Sequence, residues 1–125
     1  MMDVMPPVAK GTPIVERYGA GSFIVSGKEK TNSLILHEEG MSDWSVNAFD
    51  ELNEDAMAAL CEQAKNMDIL LIGAGEKQEF LLPKLREMGR QYSLSIDCMD
   101  TGAACRTYNV LVGEGRRVMA AIIVI

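Results

Sequence analysis

A layered α/β fold is what the 125-residue sequence predicts, on three observations. Its second half alternates apolar, strand-like runs with segments of helical spacing. Those runs are apolar enough to need cover on both faces of a sheet. Its first half holds short β-branched and aromatic segments divided by glycine turns, the pattern of a small antiparallel meander. A chain this long hides about two-thirds of its unfolded surface in one core. A single α/β domain is therefore expected over residues 14–125, after a loose proline-bearing tail at residues 1–13.

The meander is read at Ile14–Tyr18, Ser22–Val25 and Ser33–His37. Between its first two strands, Gly19-Ala20-Gly21 admits positive φ, so YGAGSF reads as a hairpin; a phosphate-cradling loop would need a helix to follow. Trp44, in MSDWSV, reads as a loop aromatic that seals the core. Asn53 then caps a helix whose first turn carries Glu54 and Asp55, with Ala56, Ala59, Leu60 and Ala64 at helical spacing and an end near Asn66. MDILLIGAG follows as a buried strand running into glycines. Pro83 suits the first position of a short helix reaching about Gly89, and Tyr92–Cys98 returns as strand. A third helix starts after Asp100 and stops at Gly113, before a last strand RVMAAIIVI.

Charge and composition exclude several functions. Twelve basic against eighteen acidic residues give a net charge of −6, which disfavours a nucleic-acid backbone, and no basic cluster exceeds Arg116-Arg117. The longest apolar runs, Ile69–Ile72 and Val118–Ile125, are too short for an integral membrane segment. The amino end carries Asp3, Pro6 and Pro7 where a secretory signal needs a basic start and an apolar stretch, so a cytoplasmic protein is expected. Cys61, Cys98 and Cys105 form no CxxC pair and suit a reducing compartment. With His37 as the single histidine, neither a metal nor a cofactor is expected.

Two stretches invite a chemical reading. IGAGEKQ follows a strand and places Gly73 and Gly75 as in a dinucleotide fingerprint, but Gln78 stands where a third small residue belongs, and EFLLP delays the helix to Pro83. What is left is an accessible loop at the carboxyl edge of the sheet, where ligands of open α/β sheets bind. The second is CRTYN, residues 105–109. Wound as a helix, it puts Ala103, Ala104, Thr107, Tyr108, Val110 and Leu111 on one broad apolar face, with Gly102, Arg106 and Asn109 opposite or flanking. Thr107 is expected to bond back to the Ala103 carbonyl, and Tyr108 to bury its ring with the hydroxyl at the rim.

Cys105 is the candidate reactive thiol, about a turn into a helix and beside Arg106, yet with no histidine near in sequence and Asp100 opposing the helix dipole. Packing is the expected role. Asp100 and Thr101 read as capping residues, with a second reading in which the first amides of the helix and Arg106 hold a small anion. Glu114-Gly115-Arg116 reads as a turn, with Arg116 free to pair with an acid or to reach the same edge.

Taken together, YGAGSFIVSG, Trp44, ILLIGAG and MDTGAACRTYNVLVGEGRRVMAA resemble one family. It is the domain shared by mitochondrial complex I assembly factor 3, the adipogenesis-associated protein and small bacterial and archaeal proteins of unknown function. The resemblance implies a three-layer fold with a mixed sheet, a last strand antiparallel to its neighbours and an additional small β layer. It also implies that Gly73, Gly75, Asp100, Thr101, Arg106 and Asn109 gather toward one end of the sheet, and it implies no reaction. The function expected is a non-catalytic binding or assembly module with a protein partner, and with a small anionic ligand at the sheet edge. The alternative is a small-molecule enzyme or nucleotide-binding protein using the glycine loop with Cys105 or Asp100. The strand Val118–Ile125 suits either the centre of the sheet or an edge that pairs with a second copy, which leaves an oligomer open.

Overall fold

Hairpin chemistry starts the fold. In the computed structural model, which describes residues 11–125, β1 (Val15–Gly19), β2 (Ser22–Val25) and β3 (Lys28–Lys30) form an antiparallel three-stranded sheet. Its two-residue turns, Ala20-Gly21 and Ser26-Gly27, all have positive φ, the geometry that matches the twist of paired strands. β3 was not legible as a strand, because Lys28-Glu29-Lys30 has no apolar residue. Those same charges discourage another strand from adding to its free edge.

The third strand expected in this meander belongs elsewhere. β4 (Leu34–His37) pairs with β5 (Gly40–Asp43) and with β8 (Val118–Ile122) in a five-stranded sheet of order β5-β4-β8-β6-β7, where β6 is Ile69–Gly73 and β7 is Ser95–Met99. Leu34, Ile35 and Leu36 are all buried, and successive side chains of a strand face opposite ways, so β4 needs cover on both sides. β8 is central and buried along its whole length. It runs antiparallel to β4 but parallel to β6. The expected antiparallel last strand therefore holds at one neighbour and is corrected at the other: the crossover from β7 through a helix returns the chain to the same end of the sheet.

Three helices cover the sheet. α1 (Glu54–Gln63) is capped by the Asn53 side chain, which accepts from the Ala56 amide at 2.9 Å. α2 (Pro83–Glu87) has Pro83 first, and α3 (Thr101–Gly113) has the bounds the sequence predicts. The strand expected from Tyr92 begins instead at Ser95, because a 3₁₀ turn at Arg90–Tyr92 ends on Ser93 in the left-handed region. One face of the sheet, with Leu70, Ile72, Met119 and Ala121, packs against Trp44, Leu52, Met57, Leu60 and Leu85. The other, with Leu36, Leu71, Ala120 and Ile122, packs against Phe23, Val25, Ala104 and Tyr108. Each large aliphatic side chain so buried contributes about 1.5–3 kcal/mol.

Residues 1–10 of the expected tail lie outside the described residues. Among the described residues, Thr12 and Pro13 of that tail are buried. The Thr12 hydroxyl donates to the Glu38 carbonyl at 2.8 Å, and the Pro13 carbonyl accepts from the buried Tyr108 hydroxyl at 2.9 Å. Among the described residues no helix is long and apolar enough to cross a membrane.

Candidate functional site

The carboxyl end of the sheet is closed by one side chain. Thr101, the first residue of α3, is fully buried at 0% exposure. Its hydroxyl donates to the Ile123 carbonyl at 2.7 Å and accepts from the Gly75 amide at 2.9 Å, while its own amide donates to the Gly75 carbonyl at 2.8 Å. Ala74 donates to Met99 and Ile123 to Gly73, so the ends of β6, β7 and β8 meet around this threonine. Gly73 permits the approach. A β-carbon there would lie 3.0 Å from both the Thr101 Cα and the Ile122 Cγ2. Gly75 leaves the strand at φ +111°, and no helix amino end follows it.

Asp100 caps α3 by accepting from the Ala103 amide at 2.8 Å. The helix start is then covered by Tyr18: a β-carbon on Gly102 would lie 2.7 Å from its ring. The Thr101 amide bonds the Gly75 carbonyl, the Ala103 amide bonds Asp100, and Gly102 is buried beneath Tyr18. Arg106 meets the same tyrosine. Its guanidinium donates to the Tyr18 hydroxyl and lies 5.9 Å from that ring's centroid, a cation–π contact.

The remaining letters of CRTYN separate in the same way. Cys105 enters the core at 1% exposure, and burial pushes its thiol up to about 12 against the opposing pull of Arg106. Thr107 reaches the Met99 sulfur at 3.5 Å rather than bonding back to Ala103. The Tyr108 hydroxyl is buried against Pro13, not left at the rim. Asn109 behaves as a strand partner: its Oδ1 accepts from the Val15 amide at 3.0 Å and its Nδ2 donates to the Val15 carbonyl at 2.8 Å. Arg116 is exposed beyond the far end of α3, a helix of thirteen residues and so about 20 Å from Asp100. The structure thus brings Gly73, Gly75, Asp100 and Thr101 together, and places Arg106 and Asn109 farther along α3 and Arg116 beyond its end.

Burial also raises Cys98, to about 11, and Cys61. All three thiols are buried in the native fold, so they alkylate far more slowly at pH 8 than in urea. A folded-state pKa above the unfolded one keeps its stabilising contribution below the unfolded value and loses it above. The urea midpoint is therefore expected to fall as pH rises above about 8.5, where thiols of the unfolded chain ionise first. Fast native labelling of Cys105, or a midpoint unchanged to pH 10, would refute the buried-thiol description.

The sequence signals an accessible loop after Gly75, but not the pair of apolar side chains that it turns outward. Phe80 is 74% exposed and Leu82 52%, while Leu81 between them is 2% exposed and anchors the segment, the alternation of an extended chain. A cleft of about 310 Å³ opens on the Phe80 side, lined by Glu79, Leu81, Arg86 and Cys98. On the Leu82 side a cleft of about 500 Å³ is lined by Leu52, Glu54, Asp55, Lys84 and Leu85. Lys84 Nζ sits 2.7 Å from Glu54 Oε1 and holds that carboxyl below the usual range. Among the described residues no group of three histidine, cysteine or acidic side chains is arranged to hold a metal.

Known proteins share this fold. NADH dehydrogenase (ubiquinone) 1 alpha subcomplex assembly factor 3 of Xenopus tropicalis is 28% identical over 109 residues, 87% of this chain and 60% of that protein. The chain thus spans about three-fifths of the vertebrate assembly-factor relatives it matches. An uncharacterized protein of Rhodobacter capsulatus is 36% identical over 118 residues, covering 94% of this chain and 89% of its own. A crystal structure from Bordetella parapertussis superposes with a TM-score of 0.85 at 29% identity, over 94% of this chain and 99% of the other. Residues 15–123, from the start of β1 to just past β8, match the model for the family described as protein of unknown function (DUF498/DUF598), and the chain belongs to that family.

Proposed function

We propose that the chain is a non-catalytic assembly module that binds another protein through the loop Glu76–Leu82 and its flanking clefts. One observation carries the reading: Cys105 is packed in the core and Asp100 and Thr101 serve internal bonds, whereas Phe80 and Leu82 stand in solvent at the carboxyl edge of the sheet. Apolar residues held outward by an anchored neighbour are a feature of interaction sites. The name of the Xenopus relative, an assembly factor, points the same way. A buried thiol at about 12 and an aspartate engaged as a helix cap weigh against the enzyme alternative.

Affinity capture from the cell of origin tests this, with wild-type protein beside Phe80→Ser/Leu82→Ser and Arg106→Ala. Both altered side chains of the double variant are exposed, so it is expected to fold and to lose a partner that wild type and Arg106→Ala retain. Retention by the double variant with loss in Arg106→Ala would move function to α3.

A further inference from the structure

Two strand edges in this fold are stopped by a side chain from the nearest helix. On β1 the stop is Asn109 of α3, which occupies both the amide and the carbonyl of Val15. On β7, the outermost strand of the five-stranded sheet, it is Arg86 of α2. The Ser95 amide donates to the Asp68 carbonyl and the Met99 carbonyl accepts from the Ala74 amide, so residues 95, 97 and 99 turn their backbone groups toward β6. Ile96 and Cys98, one step out of phase, turn theirs to the open side. Those are the groups that a further strand would bond. Arg86 Nη1 donates to the Ile96 carbonyl; among the described residues this is the guanidinium's one hydrogen bond, and no carboxylate pairs with it. Asp97, exposed, stands between the two outward residues. A second copy paired antiparallel about that position would set carboxylate against carboxylate, and like charges directly opposite destabilise a strand pair.

We infer that Arg86 is an inhibitory contact: its guanidinium fills the carbonyl that an added strand needs and, together with Asp97, keeps β7 from pairing with a second copy of this chain. The bond is charge-assisted, so an incoming strand must break a strong interaction before it gains its own. Arg86 is exposed, and the Ile96 and Cys98 side chains are buried without it among Leu81, Leu85 and Leu94, so the core does not call for a cation here. The inference concerns strand pairing and stands apart from the docking reading above.

The test compares the whole chain with Arg86→Met, Arg86→Lys and Arg86→Met/Asp97→Asn by sedimentation velocity across a concentration series. Arg86→Met is expected to self-associate about tenfold more tightly than wild type and the double variant more tightly still, while Arg86→Lys, which keeps a charged donor, stays near wild type. Amide exchange locates the contact. In wild type the Ile96 and Cys98 amides should exchange fast at every concentration, and in Arg86→Met they should slow as concentration rises. Association of Arg86→Met no tighter than wild type, tighter association without protection of those two amides, or Arg86→Lys associating as Arg86→Met does would overturn the inference. Wild type alone also decides it, even where a variant does not fold: concentration-dependent protection of Ile96 and Cys98 would show that the edge pairs despite Arg86.

Discussion

Thr101→Val is expected to lower the unfolding free energy by about 2–4 kcal/mol, read from the urea midpoint at constant slope. Valine nearly matches threonine in volume, so the change isolates the hydroxyl. Without it the Gly75 amide and the Ile123 carbonyl lose their partner inside the core, and each orphaned buried group costs about 1–3 kcal/mol. Thr101→Ser keeps both bonds and removes a methyl, so it should cost only about 1 kcal/mol. A valine variant as stable as wild type would show that this threonine does not join the strand ends.

Asn109→Ala is the second large effect, at about 1–3 kcal/mol, and it should be local before it is global. The carboxamide is the partner of both backbone groups of Val15, so its removal frees the start of β1 from α3. Amide exchange should accelerate first at Val15. Asn109→Asp keeps an acceptor for the Val15 amide but sets a carboxylate against the Val15 carbonyl, so at neutral pH it should not rescue. Equal exchange at Val15 in wild type and the alanine variant would contradict this role.

Much of this architecture was legible because local chemistry and global packing agree. Asn53, Pro83 and Asp100 mark the helix starts, and the glycine-bearing turn at residues 19–21 marks the first hairpin. The usual burial of cysteine anticipated Cys105 in the core, whereas helical periodicity put Val110 on the apolar face and it is 55% exposed. Other features depend on tertiary contacts that periodicity does not carry. β3 and β5 are held by pairing, not by apolar pattern, and the continuous apolar run of β4 does not say which sheet it joins. Arg106 was read toward the helix start, and the Tyr18 that it meets there comes from a strand 88 residues earlier, a pairing no local pattern announces. Phe80 and Leu82 resemble core residues in sequence, and only the anchoring of Leu81 turns them outward.

The central claim is a division of labour: the α3 signature holds the fold, and the Phe80–Leu82 loop meets the partner. Partner capture per folded molecule, compared between Thr101→Val and Phe80→Ser/Leu82→Ser, measures it directly. The account predicts that Thr101→Val, though less stable, captures normally once corrected for its folded fraction, while the double variant is fully folded and captures nothing. A folded Thr101→Val protein that fails to capture, or a double variant that captures as wild type does, would contradict it.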